Sequence, residues 1–316
     1  MNKLRIILIT LVILVASATV LLAQGAGLEW KNLNQEVMEL NRAGKYGQAV
    51  MVAQKALEVA EQNVGPDHPD VAASLYILAS LYDKLGEYAK AEPLFKRSLS
   101  IWEKALGPDH PNVALSLNNL ASLYKNLGEY AKAEPLFKRS LAIREKALGP
   151  DHPDVAQSLN NLASLYDNLG EYAKAEPFYK RSLAIREKAL GPNHPDVALS
   201  LNNLGLLYDN LGEYSKAEPL FKRSLAIWEK ALGPDHPDVA QSLNNLASLY
   251  KNLGEYSKAE PLFKRSLAIY EKALGPDHPN VAQSLENLAA LYRVTERIAE
   301  AEKLEQRAAK IRSIKR

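Results

Sequence analysis

The sequence predicts an all-α solenoid of stacked antiparallel helix pairs, and three observations carry that prediction. GPDHPD at Gly65 returns as GPDHPN at Gly107, GPDHPD at Gly149, GPNHPD at Gly191, GPDHPD at Gly233 and GPDHPN at Gly275, a step of 42 residues each time. Twelve of the 16 glycines stand 21 residues apart, from Gly44 to Gly275. All 17 prolines are periodic too: one after the turn glycine, one after each histidine, one inside the helix that follows. A fixed period of this length marks an architecture in which each repeat buries its apolar face only against its neighbours. The step defines seven repeats, 23–64, 65–106, 107–148, 149–190, 191–232, 233–274 and 275–316, behind a separate segment over 1–22.

That first segment has the make-up of a targeting sequence rather than of the fold. Met1 to Arg5 is a short basic stretch, 6–15 (IILITLVILV) is an apolar run of secretory length, and Ala16-Ser17-Ala18 offers small residues for cleavage, with a second point after Ala23. The apolar stretch 6–23 also stands at the lower edge of what spans a bilayer, roughly 18 residues. The expectation is an exported protein, periplasmic or secreted. The alternative is a chain anchored to the membrane by this segment, through which any membrane contact would run. In both cases the repeats lie outside the cytoplasm, because a basic leading region stays inside.

Repeat 107–148 shows how each later repeat is built. From Pro111 to Leu127 the apolar residues Val113, Leu117, Leu120, Ala121, Tyr124 and Leu127 follow helical spacing. Proline at the first helical position loses no hydrogen bond, and Gly128 supplies the positive φ that ends the helix. A second helix from Tyr130 to Leu148 is expected to bury Tyr130, Ala133, Phe137, Leu141 and Leu148. Pro135 lies beyond its first turn and is expected to bend it, as are Pro93, Pro177, Pro219 and Pro261.

The repeat resembles a tetratricopeptide repeat. Leu120, Ala121, Tyr124, Gly128, Tyr130, Ala133 and Phe137 fall at that motif's signature spacings, and Gly205 restores the glycine the family prefers at the Ala121 position. The 42-residue length, with HPDVA opening the first helix and LNNLA inside it, is similar to the repeats of kinesin light chain. The resemblance covers 65–292 closely and 28–64 and 293–316 loosely. It implies a right-handed superhelix of antiparallel helix pairs whose first helices line a concave groove. A motor-adaptor role is not carried over, since the heptad coiled coil of kinesin light chain has no counterpart here. The ends read as caps: the Phe263 position becomes Glu305 and the Tyr256 position Ile298, while Gln35, Asn41 and Gln54 make the first repeat irregular.

Composition narrows the function. There are 39 Lys and Arg against 37 Asp and Glu, and Lys3 and Arg5 account for the excess. A nucleic-acid partner asks for a basic surplus or stripe, so none is expected. Without cysteine there is no disulfide, thiolate catalysis or Cys-bound zinc. The nucleotide-binding glycine patterns, HExxH and GxSxG are absent as well, so neither a cofactor nor an enzymatic activity is expected. The six histidines, one per turn from His68 to His278, cannot share a metal. Equivalent residues of stacked repeats lie about two helix diameters apart, on the order of 20 Å, whereas zinc holds its nitrogens at roughly 2 Å. They read as turn and helix entry, and Asp67, Asp70, Asp151 and Asp154 as helix caps. The Lys-Arg-Ser triplets (Lys96-Arg97 to Lys264-Arg265) read as a solvated outer face interleaved with Glu.

One stripe asks for more. Leu115, Asn118, Asn119, Ser122, Lys125 and Asn126 share about a third of the first helix's circumference, opposite the apolar side. Asparagine pairs recur at Asn160-Asn161, Asn202-Asn203 and Asn244-Asn245, although Asn is a poor helix former. An amide can grip an extended backbone through both its donor and its acceptor. The flanking residues vary instead: Ala73, Leu115, Gln157, Leu199 and Gln241 at one position, Asp83, Lys125, Asp167, Asp209 and Lys251 ten residues on. The expectation is a non-catalytic scaffold holding a protein or peptide, its identity open, in the groove. The eight asparagines would meet its backbone, and Lys125, Asp167, Asp209 and Lys251 would set charge preference. The alternative is a membrane-anchored structural subunit that assembles an envelope complex.

Overall fold

A computed structural model describes residues 27–314, and across them every regular element is helical. The basic and apolar residues of 1–22 lie outside that range. Among the described residues no helix is long and apolar enough to cross a membrane. The chain forms two compact units, one ending at Pro150 and one beginning at Asp151. The first holds α1 (27–42), α2 (Tyr46–Val64), α3 (Pro69–Lys84), α4 (Tyr88–Leu106), α5 (Pro111–Asn126) and α6 (Tyr130–Leu148). The second holds α7 (Pro153–Asn168), α8 (Tyr172–Leu190), α9 (Pro195–Asn210), α10 (Tyr214–Leu232), α11 (Pro237–Asn252), α12 (Tyr256–Leu274), α13 (Pro279–Val294) and α14 (Ile298–Ser313). From α3 on, each odd-numbered helix packs on the even one that follows it, and within a unit on the even one before it.

Histidine starts the odd helices from α3 on. His110, in extended backbone before α5, accepts the Asn112 N–H on Nδ1 at 3.2 Å, with Pro111 at the first helical position. His68, His152, His194, His236 and His278 do the same for α3, α7, α9, α11 and α13. This corrects the expectation that aspartates are the caps: Asp70 and Asp154 only sit in the first turn. The ring Nδ1 has the same reach from Cβ as an Asp or Asn oxygen, so it satisfies the same orphan N–H. The turn aspartate is otherwise engaged. Asp109, Asp151 and Asp235 each pair at 2.5 Å with a lysine near the end of the same helix pair, Lys146, Lys188 and Lys272.

Glycine ends them. At Gly128, φ is 75°, and the Glu129 N–H reaches back to the Tyr124 carbonyl at 2.8 Å, the six-to-one closure of a helix C-terminus. The even helices run unbroken through their prolines; Pro93 lies on the exposed side of α4.

Each helix pair encloses its own apolar seam. Val113, Ala114, Leu117, Leu120, Ala121 and Tyr124 of α5 are buried with Ala133, Phe137, Leu141 and Ile143 of α6. Truncating such a phenylalanine to Ala costs roughly 3–5 kcal/mol. The serine of each triplet closes the pair, as where Ser140 Oγ, fully buried, donates to the Ala114 carbonyl at 2.7 Å. Three expected core residues differ. Tyr130 is half-buried, and Leu127 and Leu148 are 42% and 38% exposed. Leu127 is the residue that caps the end of α5 and Leu148 the last residue of α6, where the apolar stripe runs out.

Candidate recognition face

The twelve candidate residues all lie on the odd helices α5, α7, α9 and α11. Asn118, Asn160, Asn202 and Asn245 are buried to 6–9% exposure, and Asn119, Asn161, Asn203, Asn244, Lys125, Asp167, Asp209 and Lys251 are half-buried. The asparagines, however, are occupied with one another. In the second unit, Asn203 Nδ2 donates to Asn160 Oδ1 at 2.9 Å, Asn245 to Asn202 at 2.8 Å and Asn287 to Asn244 at 2.9 Å. In the first unit Asn119 donates to the Tyr76 hydroxyl at 2.5 Å, and Asn118 to Asn119 Oδ1 at 3.2 Å. The bonds between repeats join residues 43 apart, the second amide of one repeat to the first of the repeat before. Glutamines extend the ladder along each helix: Gln157 to Asn161 at 2.9 Å, Gln241 to Asn245 at 2.9 Å and Gln283 to Asn287 at 3.2 Å.

A second row of rungs crosses the ends of the same helices. Asn210 donates to Asp167 at 3.3 Å, and Asn252 to Asp209 at 3.2 Å. Burial raises the Asp83 and Asp209 carboxyls above the usual range, and at Asp209 the Asn252 amide and Lys251 work against it. A primary amide carries two N–H donors and two lone pairs, so one rung stiffens the face and leaves it polar.

The even helices hold the ladder from beneath, which sequence reasoning missed. Arg186 of α8 is 3% exposed; its Nη2 donates to Gln157 Oε1 at 2.7 Å, and its Nη1 to Ser200 Oγ at 2.9 Å and the Asp196 carbonyl at 3.1 Å. The Tyr270 hydroxyl donates to Gln241 Oε1 at 3.2 Å, and Arg312 Nη2 to Gln283 Oε1 at 3.3 Å. The signal was present as a spacing of 29. Polar Gln157, Gln241 and Gln283 precede polar Arg186, Tyr270 and Arg312, and Ala73 and Leu199 precede Trp102 and Trp228, while Leu115 before Arg144 departs from the pattern.

The even helices' outer side is a closed charge lattice. Arg97 pairs with Glu61 of the preceding repeat at 2.7 Å, as do Arg139 with Glu103, Arg223 with Glu187 and Arg265 with Glu229. Glu92 takes both Lys96 at 2.6 Å and the Tyr124 hydroxyl of the next repeat at 2.8 Å, and Lys132 lies 5.1 Å over that tyrosine ring. Tyr208, Tyr250 and Tyr292 donate likewise to Glu176, Glu218 and Glu260. Lys96, Lys180 and Lys222, helped by those tyrosines, hold the first three carboxyls below the usual range. Lys264, with Arg297 and Tyr292 added, brings Glu260 to about 2.

Uniform paired helices with one polar ladder define a helical repeat protein of the scaffold type. The tetratricopeptide repeat family model matches residues 39–101, 79–146, 114–188, 168–230, 210–272 and 238–313. The chain belongs to that family, and its repeats are of the kinesin-light-chain-like kind. It is 30% identical to the putative kinesin light chain nearly identical TPR-like repeats of Podosopora anserina, over 65% of this chain and 97% of that one, at a TM-score of 0.56. It is 26% identical to BtubC (BKLC) from P. vanneervenii over 77% of this chain and 92% of that one, with a TM-score of 0.59. The quorum sensor NprR from B. thuringiensis shares the fold alone, at 16% identity and a TM-score of 0.73 over 89% of this chain and 75% of that one. No curated protein matches the chain.

Proposed function

We propose that this chain is an exported, non-catalytic scaffold that binds a protein or peptide along the odd-helix face. One observation carries the reading: the two faces differ in how their residues are used. Outside, the same Glu, Tyr, Lys and Arg recur and neutralise one another from repeat to repeat. On the odd-helix face the amide ladder recurs from Asn160 to Asn287, while the charge at its edge changes sign among Lys125, Asp167, Asp209 and Lys251. A stiff polar surface with graded charge suits recognition, because side chains already held lose less freedom on binding. Lys125, Asp167, Asp209 and Lys251 set the charge preference. The asparagines keep the face in shape and offer their remaining donors and acceptors to a ligand. Export rests on the basic and apolar residues of 1–22.

Affinity capture from the envelope of the native host, followed by mass spectrometry, tests binding. A partner held by the parent chain should be lost when Lys125 and Lys251 become Glu and Asp167 and Asp209 become Lys. It should be kept when Lys96 and Lys222 become Glu. Equal retention by both variants would move the site off this face. For export, intact mass of the chain from that host should lack the residues up to Ala18 or Ala23, and a full-length cytoplasmic species would refute it.

A further inference from the structure

We infer that a small cavity beside Tyr270 is a side-chain pocket for the guanidinium of an arginine in a bound peptide. The inference rests on the proposed peptide-binding face and names one residue chemistry that this face reads. The cavity measures about 50 Å³ and is lined by Gln241, Asn244, Tyr270, Asn280, Gln283 and Ser284. Those residues belong to α11, α12 and α13 of the second unit.

The chain itself shows what fits there. Two repeats earlier, Arg186 stands where Tyr270 stands, and its guanidinium meets Ser200 Oγ, the Asp196 carbonyl and Gln157 Oε1 at 2.9, 3.1 and 2.7 Å. Three neutral oxygens are thus set for a planar fork of N–H donors. Beside Tyr270 the same three positions are Ser284, Asn280 and Gln241. A phenol carries one donor, which goes to Gln241 Oε1. Ser284 is 2% exposed, lines the cavity and has no hydrogen-bond partner among the described residues. A buried hydroxyl facing space is open to a ligand. A water needs roughly 10–15 Å³ by this measure, so the cavity has room for a planar head of a few atoms.

The charges around it favour a cation. Arg312, the nearest base on α14, is held bidentately by Glu286 at 2.6 and 2.8 Å. Asp238 lies close enough to add to burial in pushing the Tyr270 phenol up to about 12. Elsewhere in the series the position carries Trp102, Arg144, Arg186, Trp228 and Arg312, all larger than tyrosine or already bearing a guanidinium.

The test is a nuclear magnetic resonance titration of the full chain with N-acetyl-arginine N-methylamide and with its neutral citrulline counterpart. The arginine probe should give saturable shifts at the amides of Gln241 to Asn244 and Asn280 to Ser284. The citrulline probe should bind about tenfold more weakly, having lost charge-assisted donors. Tyr270→Arg should abolish binding by filling the pocket from within, and should fold, because Arg stands at the same place in α6, α8 and α14. Absence of saturable shifts, or undiminished binding by Tyr270→Arg, would overturn the assignment. A one-residue probe needs no partner protein. Failure here therefore leaves the scaffold reading intact, and a partner that both charge variants retain equally leaves this pocket intact.

Discussion

Glu296 is the one described residue other than glycine that takes a positive φ, at 62°. It occupies the place that Gly86, Gly128, Gly170, Gly212 and Gly254 hold in the earlier turns. A side chain in left-handed backbone costs about 1–2 kcal/mol, so Glu296→Gly should raise the stability of the last helix pair by about 1 kcal/mol, read as a higher melting temperature. Gly205 is the reverse case. A Cβ there would stand 2.8 Å from the Phe221 ring, yet Ala79, Ala121, Ala163 and Ala247 fit the same place in front of Phe95, Phe137, Tyr179 and Phe263. The ring therefore has a position that admits the methyl, and Gly205→Ala should gain somewhat less than the ~1 kcal/mol of helix propensity. A lower melting temperature would mean the Phe221 ring cannot move. The amide ladder carries stability as well. Asn245→Ala removes the donor to Asn202, itself 9% exposed. A stranded buried acceptor costs roughly 1–3 kcal/mol, more than the ~0.5 kcal/mol of regained propensity. A net loss of about 1 kcal/mol should appear in urea melts. The stripe was legible because helical spacing places Asn118 and Asn119 opposite Leu117 and Leu120. The rungs were not, because a bond across 43 residues depends on stacking geometry that no single helix encodes.

Elements are joined through ionised carboxylates, and that sets how they respond to acid. Glu92, Glu176, Glu218 and Glu260 have folded pKa values below those of a free glutamate, Glu260 reaching about 2. A depressed carboxyl stabilises the fold above its unfolded value, roughly 4.3, and that contribution is lost as pH falls through the folded value. Contacts of α12 with α13 and α14 should therefore weaken between about pH 4.5 and 2. Faster hydrogen exchange in α13 and α14 over that window is the expected observation. In Glu260→Gln the same amides should exchange fast already at neutral pH and change less on acidification. If the parent and Glu260→Gln give the same pH profile, the Glu260 contacts are not what joins these helices. The helices themselves were readable from Gly, Pro and the apolar spacing. Their caps were misread, since histidine is seldom counted among capping residues. The triplet lysines and arginines, read as a solvated face interleaved with Glu, are indeed interleaved, but Arg97, Arg139, Arg223 and Arg265 each find their partner in the preceding repeat.

Within the second unit the repeat-to-repeat contacts recur with the sequence. Deleting 191–232 from the second unit brings Asn245 to Asn160, Tyr250 to Glu176, Arg265 to Glu187 and the Ser242 hydroxyl to Arg186, each pair identical in kind to the one it replaces. The shortened chain should therefore fold with unchanged helix fraction by circular dichroism. Removing 191–211 alone would set an even helix against an even helix and should lose structure well beyond those residues. Equal losses in the two deletions would contradict nearest-neighbour stacking. The same interchangeability reaches into heredity. A recombination event that pairs one repeat's coding stretch with its neighbour's lengthens or shortens the product by one repeat, and every junction in the offspring protein has already been tried. Repeat number can thus drift while the fold stays sound, and selection is left to act on the length of the face that the repeats present.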